Sequence, residues 1–286
     1  MTRNRDPQMN FTNGLFQKVE ISKMLNEMAG IAQYLWEKGW AEGSAGNFSI
    51  NVTGMFSDTE RDSLSSNPVI PLSGKYPDLA RALFLISGTG TRMREMADNP
   101  MGYVCFVYVG ESGSDYHLIA GNQDEGSVKP TSELATHLGI QQLLIQQKST
   151  AKVVLHAHVT ELIALTQLPA FKTEEAINSL FWSMHPETML FVPEGIGFIP
   201  YTIPGTETIA RATLQELGRH KAIIWEKHGC IAVGANLAEA FDILDILAKS
   251  AKIYFLCKST GIDPEGLSAA QTETLRTYYS GLSRGN

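Results

Sequence analysis

Two histidines stand one residue apart in the apolar stretch VVLHAHVTELIALT, residues 153–166. On a β-strand, residues i and i+2 project from the same face. His156 and His158 would then aim two imidazoles at one point while Ala157 turns the other way. Metal ligands have to converge like this, since zinc holds its nitrogens at about 2.0–2.1 Å. The plainer alternative is a pair of buried histidines satisfied by hydrogen bonds, because unpaired buried polar groups are costly. His228, in IIWEKHGCIAVG, lies between two strand-like segments and precedes Gly229, where close backbone approach is tolerated. It is a candidate third ligand or, equally, a solvent-facing turn residue. Glu133 and His137 are four residues apart and share a helix face. Either could complete a metal site, and the alternative is a surface pair. Glu133 is the better placed of the two, near a helix start where the dipole favours a carboxylate. His117, His185 and His220 have no comparable setting.

Two glycine-rich loops, GSAGN at 43–47 and SGTGTR at 87–92, have the small residues and side-chain donors that an anion site needs. Most such loops are simply turns. Thr131 and Ser132 either cap the helix that follows or donate to an anion at its N-terminus. Lys152 and Lys227 lie close to the candidate ligands in sequence but read as ordinary solvated residues at strand ends.

These groups need elements to hold them. FQKVEISKMLNEMAGIAQYLWEKGW carries apolar residues at Ile21, Met24, Leu25, Met28, Ile31, Ala32 and Leu35, a helical stripe, with Gly39 where the helix should stop. AEGSAGNFSINV predicts a loop running into a strand. Residues 53–80, rich in Ser, Asp, Asn and Pro, predict an irregular excursion. ALFLIS, YVCFVYVG and YHLIAGN predict strands. TSELATHLGIQQLLIQQ is a helix, KVVLHAH a strand, TELIALTQL a helix, and TMLFVPEGIGFIP a strand and turn. GTETIARATLQELGRH predicts a helix, KAIIWEKHGCIAVG a strand pair, and NLAEAFDILDILAKSAKIYFLCKSTG a long helix. Strands and helices mix without strict alternation. The expected fold is a single α/β domain over residues 1–286, with a central mixed, mostly antiparallel sheet flanked by helices.

A chain of 286 residues with 43% hydrophobic and 19% charged residues has ordinary globular composition. No stretch approaches the roughly 18 apolar residues of a membrane span. The first residues, MTRNRDPQMNFTNG, lack the apolar core of a secretory signal, so a cytoplasmic location is expected. Cys105, Cys230 and Cys257 are an odd, scattered set in apolar surroundings, read as reduced thiols and not as a disulfide frame. A net charge of −7 argues against nucleic acid as a partner but leaves a small anion possible.

PTSELATH, HAHVTELIALT, FVPEGIGFIPYTIPGT and KHG, in that order, resemble the class II aldolase/adducin-type family. Within it, the chain is most similar to the branch that acts on L-rhamnulose 1-phosphate. The resemblance extends from KGWAEGSAGNFSI to the long helix after WEKHG. It implies one zinc ion per subunit on Glu133, His156, His158 and His228. It implies phosphate contacts from Ser44, Asn47, Thr89, Thr131 and Ser132, and a general acid/base role for Glu187. From the sequence alone Glu187 is a surface carboxylate. A C4 homotetramer with active sites near subunit interfaces is also implied. Two positions depart from the pattern. Ser44 stands where asparagine is expected, and Thr91 replaces a basic residue, with Arg92 and Arg94 as possible sources of the missing charge.

The implied reaction is zinc-dependent reversible retro-aldol cleavage of L-rhamnulose 1-phosphate to dihydroxyacetone phosphate and L-lactaldehyde. L-fuculose-1-phosphate aldolase and L-ribulose-5-phosphate 4-epimerase activities are alternatives on the same metal site. A metal-free adducin-like interaction domain is an alternative of another class.

Overall fold

The computed structural model describes residues 15–120 and 128–282. The leader argument from residues 1–14 and the last two residues of YHLIAGN lie outside them. In chain order the helices are α1 (Val19–Glu37), α2 (Asp58–Ser63), α3 (Met93–Asp98), α4 (Leu134–Gln146), α5 (Thr160–Leu165), α6 (Glu174–Met184), α7 (Pro186–Phe191), α8 (Glu207–Leu217), α9 (Leu237–Ser259) and α10 (Ala269–Leu282). The strands are β1 (Asn47–Asn51), β2 (Val69–Pro71), β3 (Leu83–Ser87), β4 (Val104–Val109), β5 (Asp115–Ala120), β6 (Val153–Ala157), β7 (Gly197–Ile199), β8 (Ala222–Trp225) and β9 (Gly229–Gly234).

The chain divides into two compact units, residues 1–157 with 234–238, and residues 158–233 with 239–286. In the first, strands are hydrogen-bonded in the order β2-β5-β4-β3-β1-β6, every pair antiparallel. Every residue of β3 (LFLIS) and β4 (VCFVYV) is buried, as expected of continuous apolar runs covered on both faces. In the second unit β8 and β9 form an antiparallel hairpin and β7 adds parallel to β8. The sheet is therefore mixed and mostly antiparallel, with helices around it, as expected.

The stripe on α1 is the buried one, through Ile21, Leu25, Met28, Ile31, Ala32 and Leu35, while Met24 is only half-buried. The helix stops at Gly39, whose φ of 71° suits a residue without a Cβ. Gly39 N–H donates to Trp36 O (3.0 Å) and Trp40 N–H to Leu35 O (2.8 Å), a paired termination that drops Trp40 into the core and turns the chain toward β1.

Residues 53–80 differ from the expected irregular excursion. They hold α2, the edge strand β2 and three short 3₁₀ turns at Thr53–Met55, Leu64–Ser66 and Pro77–Leu79. The polar residues that suggested a loop are caps. Ser57 Oγ accepts from Glu60 N–H while the Glu60 carboxylate accepts from Ser57 N–H (2.7 Å). TMLF, expected as strand, lies in helix α7. Pro186 occupies the first turn, where its missing N–H costs nothing, and Thr188 and Met189 face the core. The strand of that stretch is confined to β7.

Cys105, Cys230 and Cys257 are all free thiols. Burial pushes Cys105 upward and Cys230 up to about 12, so both stay protonated and pack as small hydrophobes. Among the described residues no helix is long and apolar enough to cross a membrane.

Candidate active site

Strand β1 lies against β6 with Asn47 opposite His156. Asn47 and Ser49 are two residues apart and so share a face of β1. Glu133 is the N-cap residue of α4, and its backbone N–H reaches Thr131 Oγ1 (3.3 Å). Thr131 therefore braces the turn before α4 and does not cap the helix, whose N-cap Glu133 has no side-chain capping bond. Asn47 Nδ2 donates to Glu133 Oε2 (2.8 Å), and that oxygen lies 4.0 Å from His156 Nε2. The carboxylate is held beside the first histidine of the pair.

His137 lies one turn further along α4. It is buried, and both ring nitrogens are engaged, Nδ1 with Ser49 Oγ (2.9 Å) and Nε2 with Asn47 Oδ1. Burial pushes its pKa down to about 4, so the ring is neutral at pH 7. Gln141 continues the network, donating to Ser49 Oγ (3.2 Å) and Lys152 O (3.0 Å). Sequence reasoning missed this network. Its signal was available: polar residues at i and i+2 on an apolar strand (Asn47, Ser49), and at i, i+4 and i+8 along a helix (Glu133, His137, Gln141).

β6 ends at Ala157, so the alternation argument does not extend to His158, which precedes the N-cap residue Val159 of α5. β8 and β9 pair with Trp225 opposite Gly229, which leaves Glu226, Lys227 and His228 as the hairpin turn. Lys227 has φ of 62°, and its N–H is fixed by Thr166 Oγ1 (2.9 Å). Glu226 is tied to Lys172 Nζ (2.6 Å) and Tyr201 N–H (2.8 Å). His228 stacks on Trp225 with ring centroids 5.0 Å apart and meets His158 edge-on at 5.1 Å. It is a turn histidine, yet half-buried.

Ligand-capable atoms of His156, His158 and His228 all lie within 4.8 Å of one another. Ligands at about 2.0–2.1 Å from a common ion are at most about 4.2 Å apart, so this set needs only small side-chain rotations to share one. Imidazole and carboxylate are donors that suit a divalent transition metal, and the donor set fits. Lys152 and Lys227 are both exposed, as read from the sequence.

The glycine loop 87–92 and the segment before α4 come together through a β-bridge between Gly88 and Pro130, with Thr89 N–H donating to Lys129 O (2.8 Å). A Cβ at Gly88 would meet Val128 Cγ1 at 2.5 Å, Thr91 Oγ1 at 3.2 Å and Tyr103 O at 3.3 Å. Gly88→Ala should therefore destabilise the protein by about 1–3 kcal/mol through overpacking. Urea unfolding checks this, and an unchanged midpoint would show that the loop yields freely. Ser44, Thr89 and Ser132 are exposed and Thr131 is buried. The Asn47 side-chain amide makes a hydrogen bond at each end within the protein, to Glu133 and to His137. Thr91 Oγ1 turns to Tyr103 O (3.4 Å). Arg92 and Arg94, considered as substitutes for its missing charge, both lie near Glu95, at 3.2 and 3.9 Å. Glu187 is exposed on α7 and pairs with His185 Nε2 (3.0 Å).

Glu174, Glu216 and His220 form a second group of potential ligands. Arg219 already pairs with both carboxylates and His220 Nδ1 faces Gly195 O (3.2 Å), so the cluster ties the start of α6 to the end of α8.

Residues 26–255 match the family described as Class II Aldolase and Adducin N-terminal domain. The chain belongs to that family. A rhamnulose-1-phosphate aldolase of Bacteroides thetaiotaomicron is 37% identical over 260 residues, covering 91% of this chain and 95% of the relative. A rhamnulose-1-phosphate aldolase of Listeria welshimeri is 30% identical over 234 residues, covering 80% and 82%. The crystal structure of a sugar-phosphate aldolase from Thermotoga maritima matches with a TM-score of 0.73 at 30% identity, over 86% of this chain and all of that one. The histidine group of this class II aldolase family member is one that could hold a metal ion.

Proposed function

We propose that this chain is a zinc-dependent lyase that reversibly cleaves L-rhamnulose 1-phosphate to dihydroxyacetone phosphate and L-lactaldehyde. The convergence of His156, His158 and His228 carries the reading. The 37% identity with the Bacteroides thetaiotaomicron aldolase supports the substrate. These three histidines, with Glu133 as the fourth, are the proposed zinc ligands. Bound there, the metal supplies Lewis acidity for the negative charge that develops on the ketone half of the sugar.

The chain's own residues do the rest. Breaking C3–C4 leaves an electron pair on the dihydroxyacetone phosphate half, while the C4 hydroxyl must lose its proton as the aldehyde forms. Glu187 is the proposed group that moves protons to and from the substrate. Its exposure is compatible with action toward a neighbouring subunit in a C4 homotetramer. Ser44, Thr89, Thr131 and Ser132 are the proposed phosphate donors, which hold the substrate in register. Asn47, whose amide is engaged by Glu133, orients that carboxylate instead. The two units serve one catalytic domain, a reading supported by the unbroken family match over 26–255. The free thiols support a cytoplasmic setting. A metal-free adducin-like role is disfavoured, because a scaffold has no need of convergent histidines.

Release of dihydroxyacetone phosphate from L-rhamnulose 1-phosphate, with L-fuculose 1-phosphate in parallel, tests the proposal. Faster release from the first sugar, lost on chelation and restored by zinc, is expected. Preference for the second would assign the sister activity, and no release from either by folded, zinc-loaded protein would overturn the aldolase reading.

A further inference from the structure

We infer that His137 is a positioning residue that acts through Asn47 to aim the Glu133 carboxylate at the metal centre. The inference rests on the proposed role of Glu133 as a ligand. Its basis is the direction of each hydrogen bond. An ionised carboxylate only accepts, so the Asn47 atom facing Glu133 Oε2 at 2.8 Å is the NH₂ nitrogen. The Asn47 carbonyl oxygen therefore faces His137 Nε2, which must carry the proton. A neutral imidazole has one N–H, which makes Nδ1 the acceptor for the Ser49 hydroxyl at 2.9 Å. The hydroxyl oxygen in turn accepts from Gln141 Nε2 at 3.2 Å, and Gln141 is anchored on the Lys152 carbonyl at 3.0 Å. Each of these bonds pairs a donor with an acceptor, and from Gln141, whose amide also donates to the Lys152 carbonyl, the donors run one way through Ser49, His137 and Asn47 to the carboxylate beside His156.

This polarity has a function. Reversing the Asn47 amide would set its carbonyl against the Glu133 carboxylate and its NH₂ against His137 Nε2–H, two repulsive contacts in a half-buried setting. His137 thereby prevents the flip, and Glu133 is presented in one rotamer. Such outer partners of metal ligands are typically worth about 10–100-fold in metal affinity or activity. Both His137 and Asn47 belong to the first unit, so the device is complete within it.

His137→Leu removes the Nε2 donor, whereas His137→Gln can return an N–H toward Asn47. His137→Leu is expected to lower kcat by about 10–100-fold and to weaken zinc binding, measured by chelator competition, with KM for the sugar phosphate within about twofold of wild type. His137→Gln should recover most of both. In an Asn47→Ala background the His137→Leu change should add little, because the relay is already cut. Nitrogen-15 NMR of the metal-free wild-type protein should find His137 as the Nε2–H tautomer. An Nδ1–H tautomer, equal losses in the Leu and Gln variants, or additive losses in the double variant would each overturn the inference. If wild type cleaves neither sugar, the proposed function fails alone, and zinc affinity and the tautomer still decide the relay.

Discussion

His228→Ala should leave a folded protein that no longer holds zinc tightly and cleaves its sugar phosphate at least about 10³-fold more slowly. That factor corresponds to about 4 kcal/mol of lost stabilisation for developing charge, within what a Lewis-acid metal contributes. The fold should survive because the hairpin turn does not depend on this imidazole. Lys227 N–H is held by Thr166 Oγ1, Glu226 by Lys172 and Tyr201, and Trp225 Nε1 by Thr213 Oγ1 at 2.9 Å. His228 lies on the face of Trp225, so its loss uncovers an indole and should alter its fluorescence without unravelling the turn. Metal content after dialysis, zinc affinity by chelator competition, and circular dichroism separate the two effects. A His228→Ala protein that keeps wild-type zinc affinity would remove this residue from the ligand set. Unfolding of the variant would call for His228→Gln, which keeps the polar bulk over Trp225 while weakening metal binding.

Acid should cost the wild-type protein more stability than a His137→Gln variant. In the fold His137 is held neutral by burial, with its pKa lowered to about 4 from an ordinary value of 6.5. Between these pH values the unfolded chain holds a proton that the folded chain does not, so unfolding gains as pH falls. The loss begins as pH drops through 6.5 and is complete below about 4, and a shift of this size corresponds to about 3 kcal/mol. Glutamine has no proton to take up, so the variant should escape this part of the decline. Urea unfolding of metal-free protein at several pH values between 7 and 4 measures the difference. Parallel curves for the two proteins would mean that His137 takes up its proton without penalty in the fold.

Much of the scaffold was legible because its elements carry strong periods. The stripe on α1 announces a helix, the apolar runs of β3 and β4 announce buried strands, and Gly39 marks the helix end where the backbone turns left-handed. Where the reading failed, local polarity had a tertiary or capping purpose. Ser57 and Glu60 looked like loop residues because capping residues are loop residues in composition. TMLF, apolar and short, does not distinguish strand from helix by period, and Pro186 decided the matter. At the candidate site, the converging histidines were visible, although His158 reaches its place past the end of a strand. The relay was invisible as a relay. Ser49 and Gln141 are common residues with no chemistry of their own, and only the pairing of β1 with its neighbours gives them a direction. Glu133 and His137, read as alternative candidates on one helix face with Glu133 the better placed, are a carboxylate beside His156 and a ring with both nitrogens engaged.

Asn47 faces His156 across the β1–β6 pair, with Phe48 opposite Leu155 and Ser49 opposite Val154. Side-chain direction alternates along a strand, so a slip of β1 by one residue would put Phe48 beside His156 and turn both Asn47 and Ser49 to the wrong face. A mis-registered sheet would still bury hydrophobic surface and would look folded to many probes. It would have no oriented carboxylate to offer a metal. With the proposed zinc site, recovery of zinc binding during refolding would read out strand alignment, which would make the metal an inspector of the fold as well as a tool of it.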